Sequence, residues 1–256
     1  MAEGWTDAQL SCDDFLGGQL KILQPLRGYR AGIDPVLLAA SIPAGAGDCV
    51  LELGCGAGVA ALCLGRRVPG VALTGLEVQP DYAALAHRNA VDNRIDFTIL
   101  TGDLNDMPDE LRQRQYSHVI ANPPYFDRRS STAAQDAGRE TALGGETPLA
   151  DWVKAAARRV APKGYVTMIQ RADRLPELLA AFSERLGSLE ALPLIPRRGR
   201  SAPLVLLRGR KSGRAAFRLH DGWKLHKGKT HKHDGENYTK ATACVLRNGS
   251  ALPFPA

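Results

Sequence analysis

Between residues 48 and 170 the chain alternates short apolar runs with amphipathic segments of helical period. The apolar runs have the length of strands, and the segments between them place apolar residues three and four positions apart, as on one face of a helix. Strands that alternate with helices in this way form a parallel sheet with helices on both faces. The pattern therefore predicts a doubly wound, Rossmann-like α/β fold, and it constrains the structure more than any other feature.

The predicted elements follow from these runs and from the turns between them. The predicted strands are 48–53, 71–77, 97–100, 118–121 and 165–169, and the predicted helices are 59–68, 80–93, 147–160 and 174–186. Two further apolar runs, 189–195 and 203–207, predict a final antiparallel hairpin, which gives a mostly parallel sheet of seven strands. Thr147 and Pro148 are expected to be the N-cap and first residue of their helix, and Asp34 and Pro35 the N-cap and first residue of an earlier one.

The composition excludes several classes of protein. The 256 residues suffice for one large α/β domain. The first residues lack the basic and apolar segments of a secretory signal, and no apolar run approaches the roughly 18 residues that span a bilayer. We therefore expect a cytoplasmic protein without membrane contact. The five cysteines are scattered, with no pairing at zinc spacing, so we expect no disulfide framework and no metal.

Positive charge is concentrated near the C-terminus. The net charge is +6, and residues 197–232 contain twelve lysines and arginines against one acid, so this stretch carries +11 and the remainder about −5. A basic segment on a mildly acidic body indicates a polyanionic partner, whereas a solvated surface hairpin is the alternative. The candidate phosphate contacts are Arg128, Arg129, Arg197, Arg198, Arg200, Lys227 and Lys229.

A glycine-rich turn joins the first predicted strand to the first helix. After Glu52, glycine occupies the alternate positions Gly54, Gly56 and Gly58. Open α/β sheets bind their ligands at such a turn, and glycine lets the backbone approach a ligand closely. The dinucleotide spacing G-x-G-x-x-G would need glycine where Val59 stands, so a nicotinamide or flavin cofactor is excluded.

Polar residues also stand at the ends of the next three predicted strands. Glu77 ends the second, Asp103 follows the third, and Asn122-Pro123-Pro124-Tyr125 follows the fourth. The carboxyl ends of parallel strands meet at one edge, so these residues are expected to surround one site. Taken singly, either acid is more often a helix cap or a turn residue, and the Asn-Pro pair is as often a plain strand exit. Because proline lacks an N–H group, the carbonyls beside it are expected to project outward.

Together, the loop, the two acids and the Asn-Pro-Pro-Tyr motif resemble those of class I S-adenosylmethionine-dependent methyltransferases. The resemblance implies that Glu52 and the glycines cradle the methionine part of S-adenosylmethionine. It also implies that Glu77 accepts from the ribose hydroxyls and that Asp103 binds the adenine amino group.

The same resemblance implies methyl transfer to a planar nitrogen at the Asn-Pro-Pro-Tyr motif. Asn122, which also borders the cofactor, and the Pro123 carbonyl would accept the two N–H groups of the acceptor, and Tyr125 would stack on it. The lone pair of such a nitrogen is delocalised, and the two bonds favour its localisation toward the methyl group. Residues 126–146 are expected to form a substrate loop.

Over nearly its whole length the chain is similar to the bacterial tRNA1(Val) adenine-37 N6-methyltransferase family, a methyltransferase small domain group. Residues 15–24 and 28–40 extend the resemblance beyond the shared core. It implies that residues 1–47 form a hairpin and a helix covering the cofactor pocket, with Tyr29 and Asp34 near the cofactor. Residues 48–256 would be the methyltransferase domain, with a basic segment over 197–240.

These features favour N6-methylation of an adenine in RNA, with tRNA as the expected partner. The alternatives are a protein-glutamine N5-methyltransferase, an rRNA guanine-N2 methyltransferase and a noncatalytic RNA-binding module on the same fold. Only about 47 residues precede the first strand, too few for the helical N-terminal domain of the glutamine enzymes. The guanine enzymes more often have phenylalanine where Tyr125 stands. A pure binding module would need neither the acids and glycines nor Asn122.

Overall fold

The computed structural model describes residues 5–125, 147–228 and 237–255. Its strands are β1 (Leu10–Phe15), β2 (Leu20–Pro25), β3 (Cys49–Leu53), β4 (Ala72–Glu77), β5 (Phe97–Thr101), β6 (Tyr116–Ala121), β7 (Val160–Arg171), β8 (Gly187–Ile195), β9 (Leu204–Arg210), β10 (Arg218–Leu219) and β11 (Trp223–Lys224). Its helices are α1 (Asp34–Ser41), α2 (Val59–Arg67), α3 (Pro80–Asp92), α4 (Asp109–Arg112), α5 (Leu149–Arg159), α6 (Leu175–Ser183) and α7 (Lys240–Asn248). None of the helices in these ranges has both the length and the apolar character of a membrane span.

Among the described residues, nine strands form one sheet in the order β10-β8-β9-β7-β6-β3-β4-β5, with β11 also paired to β8. Strands β5, β4, β3, β6 and β7 are parallel, and β9 lies antiparallel between β7 and β8. The predicted doubly wound sheet, its seven strands and its final antiparallel hairpin are thereby confirmed. The two-residue strands β10 and β11 extend the β8 edge, and they are too short to leave a periodic pattern in the sequence.

Both faces of the sheet are covered by helices, which explains the continuous apolar runs. In β6, Ile120 packs in a core cluster with residues of α1, α2 and α3. Its neighbour Val119 packs in a second cluster with residues of α5 and α6. Successive residues of a strand point to opposite faces, so a strand covered on both sides needs apolar residues at both positions.

Several predicted boundaries differ from the structure by one or more residues. Helix α5 begins at Leu149 with Pro148 as its N-cap, so the Thr147 prediction is wrong by one residue; Pro148 has ψ 148°, which is extended. Helix α1 begins at Asp34 with Ile33 as N-cap, so Asp34 lies in the first turn and is not the cap. Strand β7 is longer than predicted because Val160 already pairs with Tyr116 of β6.

The N-terminal hairpin of β1 and β2 is bound to α3 by side-chain amides. Asn93 Oδ1 accepts from Lys21 N at 2.9 Å and its Nδ2 donates to Lys21 O at 2.7 Å. Asn89 Oδ1 accepts from Leu23 N at 2.8 Å and its Nδ2 donates to Leu23 O at 3.0 Å. The two asparagines are four residues apart, with Asn89 inside α3 and Asn93 as its C-cap, and they lie on the same side of the helix end. Each amide therefore pairs with the outer edge of β2 as a neighbouring strand would.

Candidate active site

The carboxyl ends of β3 and β6 border an open cleft with ≈ 410 Å³ of atom-free space, part of which is bulk solvent. Leu53 and Ala121, the last residues of these strands, are register partners. The glycine-rich loop and the Asn-Pro-Pro-Tyr motif therefore leave the sheet side by side. Both contribute to the cleft wall, and Tyr29 and Pro35 of the N-terminal segment line it as well.

The three alternating glycines of the loop all adopt the left-handed conformation, with φ of 64°, 52° and 85° at Gly54, Gly56 and Gly58. A Cβ on Gly54 would lie 2.6 Å from Cη2 of Trp152, and one on Gly58 would lie 3.1 Å from Cε1 of Phe97. A Cβ on Gly56 would meet nothing within 4 Å. The outer glycines are thus needed for the backbone and its packing, whereas the middle one leaves space in the cleft.

Two buried carboxylates lie beneath this loop. Glu77 Oε2 accepts from Gly56 N at 2.8 Å, and Oε1 accepts from Gln79 N at 3.0 Å. Glu52 is 3% exposed and accepts from Ala61 N, in α2, at 2.9 Å. Burial raises the pKa of Glu52 to about 8, and Glu77 adds to the rise. Burial also raises the pKa of Glu77. Two carboxylates that are costly to ionise together favour a cationic ligand beside them.

Asp103 lies at the carboxyl end of β5, two strands away from β3. Its side chain is exposed, and Oδ1 accepts from Asn105 N at 2.8 Å. The structure therefore brings Asp103 to the same edge of the sheet, where its carboxylate stabilises the turn that follows it. Its contact with an adenine amino group stays a prediction.

Asn122 lines the cleft and has an unused hydrogen-bond acceptor. Its Nδ2 donates to Tyr29 Oη at 3.4 Å, whereas its Oδ1 is buried and has no partner among the described residues. Tyr29 is itself fixed by Tyr82, whose Oη accepts from Tyr29 N at 3.0 Å and donates to Tyr29 O at 3.1 Å. A buried acceptor without a partner is costly, so the site favours a ligand with an N–H donor.

The next residues of the motif are bound to neighbouring elements. The Pro123 carbonyl accepts from Nε2 of the buried Gln170 at 3.4 Å, so it does not simply project outward as predicted. Tyr125 Oη donates to Asp34 Oδ2 at 2.7 Å. Burial raises the pKa of Tyr125, and the Asp34 carboxylate raises it further, so the phenol stays neutral. The bond to Asp34 fixes the Tyr125 ring against the start of α1.

Three residues that support the site were not predicted from the sequence. They are Gln170, Tyr82 and Asn89, and Asn89 Nδ2 donates to the Ala57 carbonyl at 3.0 Å as well as to β2. One amide thus joins the glycine-rich loop to the hairpin. The available signal was a polar Asn89 on the helix face that also carries Tyr82, seven residues earlier, but its partners are distant in sequence.

The structure brings four of the predicted phosphate contacts together. Arg198 and Arg200 are exposed in the loop after β8, and Arg197 Nη1 donates to the carbonyl of the exposed Lys227 at 2.5 Å. Arg128, Arg129, Lys229 and the predicted loop 126–146 lie outside the described residues. Within the described ranges, no group of three histidine, cysteine or acidic residues has the arrangement of a metal site.

Comparison with known proteins identifies the family. The model of the methyltransferase small domain matches residues 32–182. The chain belongs to the methyltransferase small domain family. It is also 31% identical over 196 residues to the tRNA1(Val) (adenine(37)-N6)-methyltransferase of Porphyromonas gingivalis strain W83, a match that covers 71% of this chain and 76% of that protein. The expected family and S-adenosylmethionine-dependent methyltransferase activity are therefore confirmed.

Solved structures share the fold of this methyltransferase. A predicted O-methyltransferase from Agrobacterium tumefaciens superimposes with a TM-score of 0.69 at 23% identity, covering 87% of this chain and 100% of that one. A Thermus thermophilus 16S rRNA N2 G1207 methyltransferase, solved with S-adenosylmethionine and guanosine, gives a TM-score of 0.54 at 18% identity and covers 79% of this chain and 50% of that one. At these identities the likeness establishes the Rossmann-like methyltransferase fold alone.

Proposed function

We propose that this methyltransferase transfers a methyl group from S-adenosylmethionine to the N6 amino group of an adenine in tRNA. The Porphyromonas relative is named for adenine 37 of tRNA1(Val). The observation that carries the proposal is the Asn122 amide oxygen, which is buried, belongs to a residue that lines the cleft and has no partner among the described residues. An exocyclic amine is a donor that fits such an acceptor.

The residues around the glycine-rich loop fit the cofactor. Open space over Gly56 admits a ligand against the backbone, and the buried Glu52 and Glu77 favour its positively charged ammonium and sulfonium groups. S-adenosylmethionine, when bound, supplies an electrophilic methyl group. We assign Glu77 to the ribose hydroxyls and Asp103 to the adenine amino group of the cofactor.

The Asn-Pro-Pro-Tyr motif contributes mainly by orienting the target adenine. Asn122 Oδ1 accepts one N–H of the adenine amine, and the Pro123 carbonyl accepts the other with the lone pair that Gln170 does not use. The two bonds favour a localised nitrogen lone pair directed at the methyl group. No strong base is needed, because the amine proton becomes acidic only after transfer. The neutral Tyr125 holds the plane of the base by stacking.

The proposal includes a division of the chain at residue 47. Tyr29 and Pro35 line the cleft and Asp34 binds Tyr125, which supports a covering role for residues 1–47. Residues 48–256 then form the catalytic domain. Modification of tRNA in bacteria is a cytoplasmic reaction, so a cytoplasmic location follows from the proposed substrate.

The test is Asn122→Ala, with Asn248→Ala as the matched control on the exposed end of α7. Each variant is incubated with labelled S-adenosylmethionine and total tRNA, and the nucleosides are then separated. We expect N6-methyladenosine from the wild type and the control. Asn122→Ala should lose about 10²–10³-fold in kcat while its cofactor affinity is unchanged. Equal turnover by Asn122→Ala, or methylguanosine as the product, would contradict the proposal.

A further inference from the structure

The basic segment identified in the sequence is divided between two opposite edges of the sheet. Strand β8 is parallel to β7, since both are antiparallel to β9, so the loop after Ile195 lies at the carboxyl edge. Strand β9 returns the chain to the amino edge, where Arg210 pairs with Gly187 at the start of β8. Strand β11 is parallel to β8, with Lys224 opposite Ile195, and brings the chain back to the carboxyl edge.

Three positive charges of the segment, at the amino edge and in β9, serve the fold. Arg210 Nε donates to the Lys163 carbonyl at 3.0 Å, and Lys211 Nζ donates to the Ala157 carbonyl at 2.6 Å. Within β9, Arg208 forms a largely buried ion pair with Glu190 at 2.8 Å. These side chains hold strands and turns together. Three of the twelve positive charges of the segment are therefore committed to internal contacts.

The charges at the carboxyl edge are exposed. Arg198, Arg200 and Lys227 are exposed, and none of them has an acid within 4.0 Å among the described residues. The bond from Arg197 to the Lys227 carbonyl joins the loop after β8 to the turn after β11. The two stretches thus form one surface, which we call the carboxyl-edge patch.

The electrostatic character of the carboxyl edge changes along the sheet. On the β4 and β5 side stand the acids Glu77, Asp103 and Asp106, and on the β8 and β11 side stands the carboxyl-edge patch. The cleft lies between them, at β3 and β6. Strand β8 is three strands from β6, which is about 14 Å at the usual strand spacing. A polyanion is therefore repelled from the cofactor side and attracted to the patch.

We propose that the carboxyl-edge patch, defined by Arg198, Arg200 and Lys227, binds phosphates of the RNA that flank the target adenine. The amino-edge charges of the same segment stay clear of the RNA. This inference rests on the proposed function, since it takes RNA as the substrate. It assigns the direction from which the RNA enters the cleft, over β8 and β9 and away from β5.

The test compares the double variant Arg198→Ala, Arg200→Ala with Arg214→Ala. Arg214 belongs to the same segment and is exposed, but it lies beside the start of β8 at the opposite edge. Binding of unmodified tRNA transcript is measured by fluorescence anisotropy over a range of salt concentrations, and melting temperature checks that each variant is folded. We expect the double variant to bind at least about tenfold more weakly. Its log–log salt slope should fall by about 1.5, as for two lost phosphate contacts.

We expect Arg214→Ala to bind tRNA as the wild type does. Equal binding by the double variant, an equal loss in Arg214→Ala, or a wild type that does not bind tRNA would each overturn the inference. The binding assay does not depend on which atom is methylated. Product analysis of the wild type tests the proposed function separately, so the two can fail independently.

Discussion

The contrast between Gly54 and Gly56 can be tested by adding one methyl group at each position. In Gly54→Ala the new Cβ lies 2.6 Å from Cη2 and 3.0 Å from Cζ3 of Trp152, on a backbone with φ 64°. The left-handed conformation costs alanine about 1–2 kcal/mol. Overpacking against a rigid ring adds about 1–3 kcal/mol. The expected loss in the free energy of unfolding is therefore about 2–5 kcal/mol.

Gly56→Ala carries only the conformational cost, because its Cβ meets nothing within 4 Å. We expect a loss of about 1–2 kcal/mol. The methyl group would, however, project into space that the cofactor needs. At about 2–4 °C per kcal/mol for a chain of this size, the melting temperature should fall by about 4–20 °C in Gly54→Ala and by about 2–8 °C in Gly56→Ala.

Thermal unfolding with and without S-adenosylmethionine separates the two effects. A ligand that binds the folded state raises the melting temperature, and the rise is lost with affinity. We expect Gly54→Ala to retain most of this rise in melting temperature and Gly56→Ala to retain little of it. A double-mutant cycle of Gly54→Ala with Trp152→Leu should show a coupling of about 1–3 kcal/mol from relief of the clash. Additive effects in this cycle, or a larger loss of unfolding free energy in Gly56→Ala than in Gly54→Ala, would refute the steric reasoning.

Substitutions at three further residues test other parts of the site. Burial raises the pKa of Glu52 from 4.5 to about 8, so between these pH values the folded protein keeps a proton that the unfolded chain releases. The free energy of unfolding should therefore fall as the pH rises from 4.5 to about 8. Glu52→Gln should reduce this slope in urea denaturation, and an unchanged slope would contradict the assignment. Asn89→Ala leaves the Ala57 carbonyl and the edge of β2 unpaired, so the free energy of unfolding should fall by about 2–5 kcal/mol in urea denaturation. Cofactor binding, measured by calorimetry, should weaken as well. A fall in the free energy of unfolding below about 1 kcal/mol would argue against this role of Asn89. Tyr125→Phe keeps the ring but removes the donor to Asp34, so its kcat should fall less than about tenfold. Tyr125→Ala also removes the ring, so its kcat should fall far more. Equal falls in kcat for the two variants would exclude a stacking role.

The sequence was sufficient to predict the fold and the edge of the sheet at which the candidate site residues lie. Strands buried on both faces need apolar residues at every position, and helices beside them need apolar residues on one face, so the alternation was visible without any structure. The location of Glu77, Asp103 and Asn122 at one edge then followed from the parallel order of their strands. Boundaries were less certain, as at Asp34 and Pro148, because a cap and a first helical residue differ by one set of dihedral angles.

What could not be predicted depends on contacts between distant residues. Asn89 binds both the hairpin and the glycine-rich loop, and Gln170 binds the Pro123 carbonyl, through partners that no local spacing reveals. The basic segment looked uniform in sequence. Only the topology of β8, β9 and β11 separates Arg198 and Arg200 from Arg214, since each strand reverses the edge at which the next turn emerges.

The pairing of Asn89 and Asn93 with β2 also bears on solubility. The outer edge of a two-stranded sheet is a template for strand addition by a second chain. Here the groups of Lys21 and Leu23 that face this edge are occupied by helix side chains, so intermolecular pairing is blocked at both residues. A variant that releases the hairpin from α3 would therefore expose an unpaired strand edge, and we expect it to aggregate.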